Sequence, residues 1–358
     1  MTQHYQLHLD TPIYSSTFIN PTTIIIGAGG GTTKSGITNK ITIINITTKH
    51  ENQLNLQKGD DVPMSMHYDP LNNLLICGIN STETPEKNTH LRTFLLDKNQ
   101  SQLKLKSVQT LLTYQSNDDY QRITCLSPQA PKLLAIGGTN NQLELLNYPT
   151  LKPAFKTLWC EQQLYAVDFH SDGSQGKLTH PHLIREIERP TTETNCTFRN
   201  AMYAPSLPPQ KKEKRNTLTF FLICIRYGRG MNSSMLYTIL NHLPSRGSSV
   251  WGGKDQRKAQ LISWKLGSGD RERCKLISSK PVTCFDVSAS GRLVAFSSSD
   301  LSIGILDGAS LRSLLSILHA HEFPVTSLKF SPDDSRVVSC SADMTMRVIE
   351  LDGSILVC

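Results

Sequence analysis

His319-Ala320-His321-Glu322-Phe323-Pro324-Val325-Thr326-Ser327-Leu328-Lys329-Phe330-Ser331-Pro332-Asp333-Asp334 runs on through Ser335-Arg336-Val337-Val338-Ser339-Cys340-Ser341-Ala342-Asp343-Met344-Thr345-Met346-Arg347-Val348-Ile349. This stretch decides the fold. It reads as a histidine, a strand, a Ser-Pro-Asp turn, a second strand, a Ser-x-Asp turn and a third strand. One unit earlier the same grammar recurs: Val282-Thr283-Cys284-Phe285-Asp286-Val287, the turn Ser288-Ala289-Ser290-Gly291, Leu293-Val294-Ala295-Phe296, then Ser299-Asp300 and Ser302-Ile303-Gly304-Ile305. The two turn aspartates, Asp300 and Asp343, lie 43 residues apart. That period fits one propeller blade.

The unit resembles a WD repeat, and weaker copies lie upstream. Ile123 to Asn147 contains Leu133-Leu134-Ala135-Ile136-Gly137-Gly138 and Leu143-Glu144-Leu145-Leu146. Met64 to Asp97 contains Leu74-Leu75-Ile76-Cys77-Gly78 and Leu91-Arg92-Thr93-Phe94-Leu95-Leu96. Leu164-Tyr165-Ala166-Val167-Asp168-Phe169-His170 with Ser171-Asp172-Gly173 opens another, and Tyr14 to Ile46 is the first. Thr217 to Cys224 and Leu236 to Trp264 form a degenerate unit with long loops. The count predicts an all-β fold, a single seven-bladed WD-repeat β-propeller over residues 1–358, with a shortened fourth blade. Tyr5-Gln6-Leu7-His8-Leu9 is expected to add the outer strand of the last blade and close the ring. His321 and Asp343 read as a hydrogen-bonded pair internal to a blade, because no nucleophile stands beside them.

The 358 residues carry 19% charged and 38% hydrophobic side chains, ordinary for a globular protein, and a net charge of +7. The basic run Lys211-Lys212-Glu213-Lys214-Arg215 follows Pro208-Pro209-Gln210 and has no interleaved aromatics, so it reads as an exposed loop and not as a nucleic-acid surface. Nine cysteines, with no C-x-x-C pair, indicate neither a disulfide framework nor a zinc site. They are expected as small buried residues of a reduced compartment. His180-Pro181-His182 is a histidine pair without further ligands nearby. There is no apolar core after Met1 for a signal peptide, and no window of about 18 apolar residues for a membrane span.

Within the first unit, Thr23-Ile24-Ile25-Ile26 enters Gly27-Ala28-Gly29-Gly30-Gly31-Thr32-Thr33-Lys34-Ser35-Gly36-Ile37-Thr38-Asn39-Lys40, and Ile41-Thr42-Ile43-Ile44 leaves it. A phosphate loop needs glycine directly before its lysine, another six residues before that lysine, and a helix next. Here Thr33 precedes Lys34, Ala28 holds the earlier position, and a strand follows. The segment is therefore a hairpin with a long glycine-rich tip.

Pro12-Ile13-Tyr14, Phe18-Ile19-Asn20, this loop and Gly36-Ile37-Thr38-Asn39-Lys40-Ile41 together resemble the WD-repeat guanine-nucleotide exchange factors of the endoplasmic reticulum that act on the Sar small GTPase, the family of Sec-twelve and the prolactin regulatory element-binding protein. Asp60-Asp61-Val62-Pro63, Cys77-Gly78-Ile79-Asn80, His90-Leu91-Arg92, Glu186-Ile187-Glu188-Arg189-Pro190 and Cys196-Thr197-Phe198-Arg199 follow in the same order. The resemblance implies a factor that loads GTP on a Sar-type small GTPase and starts COPII coat assembly at the cytosolic face of the endoplasmic reticulum membrane. It implies that the loop, here Gly27 to Asn39, projects from one propeller face, binds a potassium ion through main-chain carbonyls and meets the GTPase.

On that resemblance Ile37 and Asn39 are the GTPase-contacting residues, Ile37 as an apolar tip and Asn39 as a clasp at the loop base. Gly27, Gly29, Gly30, Gly31, Gly36 and Pro63 are the scaffold, and carbonyls of Gly30, Gly31, Gly36, Ile37 and Asn39 are the expected ion ligands. Consecutive glycines allow positive φ and inward carbonyls, which suits potassium. Exchange needs no acid, base or nucleophile, only tighter binding of the nucleotide-free GTPase. The family carries a transmembrane helix after its propeller, whereas this chain reaches Cys358 just after the last unit. A plain WD-repeat scaffold is the alternative reading, and a loop-dependent phosphate enzyme a second.

Overall fold

A computed structural model describes residues 3–32, 35–81, 88–97, 102–112, 114, 116, 118–128, 130, 132–160, 164, 166–169, 196–197, 225–242, 258–266 and 268–352. The described residues form six antiparallel sheets arranged as propeller blades. The first runs Ile13–Asn20, Thr23–Ala28, Lys40–Asn45 and Glu51–Asn55 from inside to outside. The second comprises Ser65–Asp69, Leu74–Gly78, Leu91–Asp97 and Gln102–Gln109. The third comprises Gln121–Leu126, Leu133–Gly138 and Gln142–Asn147, with short outer pieces Lys152–Pro153 and Leu158–Trp159.

In the fourth blade, Met235–His242, Lys258–Lys265 and Arg271–Ser278 follow two short inner pieces, Cys196–Thr197 and Ile225–Tyr227. A 3₁₀ turn, Gly230–Asn232, links Ile225–Tyr227 to the next strand, where the sequence shows no strand pattern. The fifth blade is Val282–Val287, Leu293–Ser298, Ile303–Asp307 and Ser313–Ile317. The sixth is Val325–Phe330, Arg336–Ser341 and Thr345–Glu350, completed by His4–His8.

Residues from the N-terminus therefore close the last blade. Tyr5 pairs with Val348 and Leu7 with Met346, as the sequence led us to expect. The Tyr5 hydroxyl also donates to the Ile46 carbonyl of the first blade at 3.0 Å.

The core lies between blades. In Thr23–Ala28, alternate side chains point to opposite neighbours. Ile24 and Ile26 pack with Val338, Cys340, Met346 and Val348 of the sixth blade. Ile25 packs with Leu75, Cys77 and Phe94 of the second. A strand buried on both faces reads as an unbroken apolar run, which is why this hairpin is so rich in isoleucine.

The count corrects the expectation of seven blades to six among the described residues. The unit expected to open at Leu164 forms no strand at residues 164 and 166–169. Its apolar side chains instead pack on the third blade, with Leu164, Val167 and Phe169 against Ile123, Ala135 and Leu143. Asp168 then reaches the fourth blade, accepting the Tyr227 N–H at 2.9 Å, with Arg229 3.9 Å away. A side-chain bridge stands here where a ladder was expected. Thr217 to Cys224, the basic run at 211–215, His180-Pro181-His182 and the motif at 186–190 lie outside the described residues. Cys77 and Cys340 are buried as expected, but Cys274 is exposed on an outer strand.

His321 and Asp343 are held as a blade-internal pair. His321 Nδ1 lies 2.7 Å from the Thr345 hydroxyl and 3.3 Å from the Asp343 carboxylate, and Nε2 lies 2.7 Å from the Ser339 hydroxyl. Burial holds the imidazole below its usual pKa, against the pull of Asp343.

A second histidine ties blades together. His90 is fully buried. Its Nε2 accepts the N–H groups of Leu111 and Leu112 at 3.1 and 2.9 Å, so Nδ1 carries the proton and donates to Gln121 at 2.7 Å. Burial pushes its pKa down to about 4, with the Gln121 bond opposing. The unfolded chain therefore binds a proton that the folded chain refuses between pH 6.5 and 4, and stability falls as pH falls through that window. The His90 share is about 3 kcal/mol at pH 4. Denaturant unfolding at pH 7.5 and pH 4 is expected to show this loss, and a His90→Gln variant a smaller one. An equal loss in the variant would contradict the assignment.

Candidate functional site

The loop joining the second and third strands of the first blade emerges on the same face as the described blade-to-blade connections, because these blades enter at the innermost strand and leave at the outermost. Residues 56–64, which lead into the second blade, lie alongside it.

Asn39 clasps the loop base. Its Oδ1 accepts the Gly31 N–H at 2.9 Å, and its Nδ2 donates to the Gly31 carbonyl at 3.0 Å and the Asp60 carbonyl at 2.8 Å. One amide thus joins the glycine run to the connection into the second blade. Gly29 donates to the Pro12 carbonyl at 2.9 Å, and Leu56 to the Asn39 carbonyl at 2.9 Å.

Gly31 has φ +69°, a conformation that L side chains rarely adopt. It turns the chain so that both its N–H and its carbonyl meet the Asn39 amide. A Cβ at Gly29 would collide with the Asn39 side chain, and one at Gly30 would stand 3.0 Å from the Ile37 Cβ. Gly36 lies in open space. Ile37 is half-buried, its N–H donating to the Ser35 hydroxyl at 3.3 Å, so it packs back toward Gly30. Its neighbours Gly36 and Thr38 are exposed.

Gly27 and Pro63 meet at the root. The Ser15 hydroxyl donates to the Pro63 carbonyl at 2.6 Å, and a Cβ on Gly27 would lie 2.7 Å from both the Pro63 Cβ and the Ser15 Oγ. Gly27→Ala is therefore expected to push the 60–63 turn outward and destabilise the chain by about 1–3 kcal/mol. Denaturant unfolding checks it, and an unchanged midpoint would contradict the close contact.

The two acids beside the loop differ. Asp60 is bound by Arg92 in a two-point pair at 2.5 and 2.6 Å, with side chains only 8% and 7% exposed. Asp60 also accepts the Gln57 N–H at 3.0 Å. Asp61 accepts the Val62 N–H at 2.7 Å, and burial raises its pKa although that bond works the other way. Its carboxylate faces Gly31. On the other side of the loop, Lys40 is buried and donates to Asp10 at 2.7 and 2.8 Å.

The site therefore joins Gly27, Gly29, Gly30, Gly31, Ile37, Asn39 and Pro63, with Gly36 at the open edge. The Arg92–Asp60 pair was missed by sequence reasoning. Its only signal is an arginine near the start of the mostly apolar Leu91–Asp97 strand, which also holds Thr93 and Asp97. No group of three or more metal-binding side chains occurs among the described residues. No helix among them is long and apolar enough to cross a membrane.

A family model for the WD domain, G-beta repeat, matches residues 312–350. SED4 of Saccharomyces cerevisiae, named for guanine nucleotide exchange, is 23% identical over 356 residues, covering 96% of this chain and 30% of that protein. The guanine nucleotide-exchange factor SEC12 of Candida glabrata is 22% identical over 358 residues, covering 95% of this chain and 70% of its own length. The SEC12-like protein 2 of Arabidopsis thaliana is 29% identical over 97 residues, 27% of this chain and 25% of that one. A chain in a crystal structure of a mitotic checkpoint complex superposes with a TM-score of 0.64 at 13% identity, over 97% of this chain and 91% of that one, a likeness of fold alone. The chain folds as a β-propeller with a WD-repeat match over its last blade, and it is similar over most of its length to proteins named as guanine nucleotide-exchange factors, SEC12 and SED4.

Proposed function

We propose that this chain promotes exchange of GDP for GTP on a Sar-type small GTPase, and so starts COPII coat assembly at the cytosolic face of the endoplasmic reticulum. The observation that carries the reading is the Asn39-clasped glycine loop standing out of the propeller face, in a chain similar to SEC12 over 95% of its length. The chain acts by affinity. It binds the nucleotide-free GTPase more tightly than the loaded form, and that difference lowers the barrier to nucleotide release. A difference of about 100-fold corresponds to about 2.7 kcal/mol of coupling.

Potassium is the proposed ion of the loop. What supports it is donor chemistry: carbonyls of Gly30, Gly31, Gly36, Ile37 and Asn39 and the desolvated Asp61 carboxylate facing Gly31 are hard oxygens of the kind a monovalent cation takes, with the Gly31 and Asn39 carbonyls already accepting one hydrogen bond each. When bound, the ion would be held by these oxygens and would stiffen the loop. Ile37 and Asn39 then present a fixed surface to the GTPase.

GDP release from fluorescently loaded Sar GTPase, with and without this chain, tests the reading in potassium and in sodium buffer. The expected result is acceleration in both, greater in potassium. Equal acceleration in the two buffers would remove the ion from the account, and no acceleration by folded protein would remove the exchange function.

A further inference from the structure

Exposed apolar side chains occur on both propeller faces, and Trp159 is exposed on the outer edge of the third blade. Leu71 and Met231 sit in turns on the face away from the loop. On the loop face, Leu318 and Phe323 occupy the connection into the sixth blade, 73% and 56% exposed, and Met344 occupies that blade's next turn on the same face, 37% exposed. The sixth blade packs against the first, on the side opposite the second blade.

These side chains stand on a braced backbone. The Glu322 N–H donates to the Asp343 carboxylate at 2.7 Å, and the Ser341 hydroxyl donates to the Phe323 carbonyl at 3.0 Å. Met344, at φ +65°, passes its carbonyl to the Leu9 N–H at 2.8 Å. From Leu9 the chain continues through Asp10, which binds Lys40, to Pro12, whose carbonyl holds Gly29. Hydrogen bonds together with chain residues 9–12 thus link the Phe323 and Met344 backbones to the glycine loop, while their side chains face solvent. Exposed aromatic and thioether groups on a rigid support, next to a loop that contacts a partner, have the character of interface anchors.

We infer that Phe323 and Met344 form a second anchor for the same small GTPase that the glycine loop engages, so that one partner spans the first and sixth blades. The inference rests on the proposed exchange function. The partner it fits is a GTPase with an apolar patch beside its nucleotide site. Two anchors on separate blades fix the orientation of the GTPase over the loop, where a single flexible loop would leave it free to swivel.

The test measures the affinity of full chains for nucleotide-free Sar GTPase by titration calorimetry, with thermal unfolding to show that each variant is folded. Phe323→Ala with Met344→Ala is expected to weaken binding roughly 10- to 30-fold. Leu71→Ala, a truncation of a more exposed apolar side chain on the far face, should leave it within about twofold. Binding by the parent chain that is lost in Asn39→Ala but unchanged in the double variant would overturn the second anchor and leave the exchange reading standing. Absence of any binding by the parent chain would overturn both.

Discussion

Asn39→Ala is expected to reduce acceleration of GDP release by roughly 100-fold while lowering the thermal unfolding midpoint by a few degrees at most. The variant deletes three hydrogen bonds, to the Gly31 N–H, the Gly31 carbonyl and the Asp60 carbonyl. No other residue spans those groups in the same way, so the glycine run loses its tie to the 60–63 turn. The loop then samples many conformations, and ordering it again on binding costs free energy that the parent chain has already spent. The stability loss is limited to the three part-buried hydrogen bonds, about 1–3 kcal/mol, a few degrees at most for a chain of this size, because Asn39 packs in no core cluster among the described residues. Asn39→Asp separates geometry from mere occupancy. It keeps an acceptor for the Gly31 N–H but turns a carboxylate toward two carbonyls, and it is expected to be as inactive as the alanine variant. Full activity in either variant would contradict the clasp.

Arg92→Ala is expected to be the most destabilising single change near the site, by about 3–5 kcal/mol. It strands the Asp60 carboxylate, whose side chain is 8% exposed, without its two-point partner. Arg92→Lys should recover little, because an ammonium cannot reproduce the planar fork. Removing both charges, with Asp60→Ala added, should restore part of the loss, since the penalty lies in the unpaired charge. Exchange should fall as well, because the Asp60 carbonyl holds the Asn39 amide. Urea unfolding of the single and double variants gives the comparison. Equal stability of Arg92→Ala and the parent would show that the pair is not a structural support.

Much of the fold was legible because propeller strands are buried on both sides. The run Ile24-Ile25-Ile26 could only be a strand flanked by two blades, and its isoleucines divide between the sixth and second blades as strand geometry requires. Closure by Tyr5 to His8 was readable from a short alternating segment ahead of Pro12. The blade count was not. Leu164 to Phe169 carries enough apolar residues to look like a strand, yet alternation does not report whether a ladder partner exists. In the structure those side chains cover the third blade and Asp168 spans to Tyr227.

The site shows the same division. Asn39 and the glycines were visible as a loop because their conformational freedom is a local property. Arg92 and Asp60 lie 32 residues apart on different elements, and only the packed second blade brings them together. Phe323 lies within the stretch that decides the fold, where it reads as an ordinary connection residue. Its exposure on the loop face emerges only from the ring.

The central claim is that the loop face prefers a GTPase emptied of nucleotide. Its most direct test is the dissociation constant of the chain for Sar GTPase in the nucleotide-free and GDP-loaded states, measured in potassium buffer. The account predicts binding of the empty form about 100-fold tighter or more, a difference that Asn39→Ala removes. Equal affinity for the two forms would contradict it, because a factor without differential affinity cannot shift the exchange.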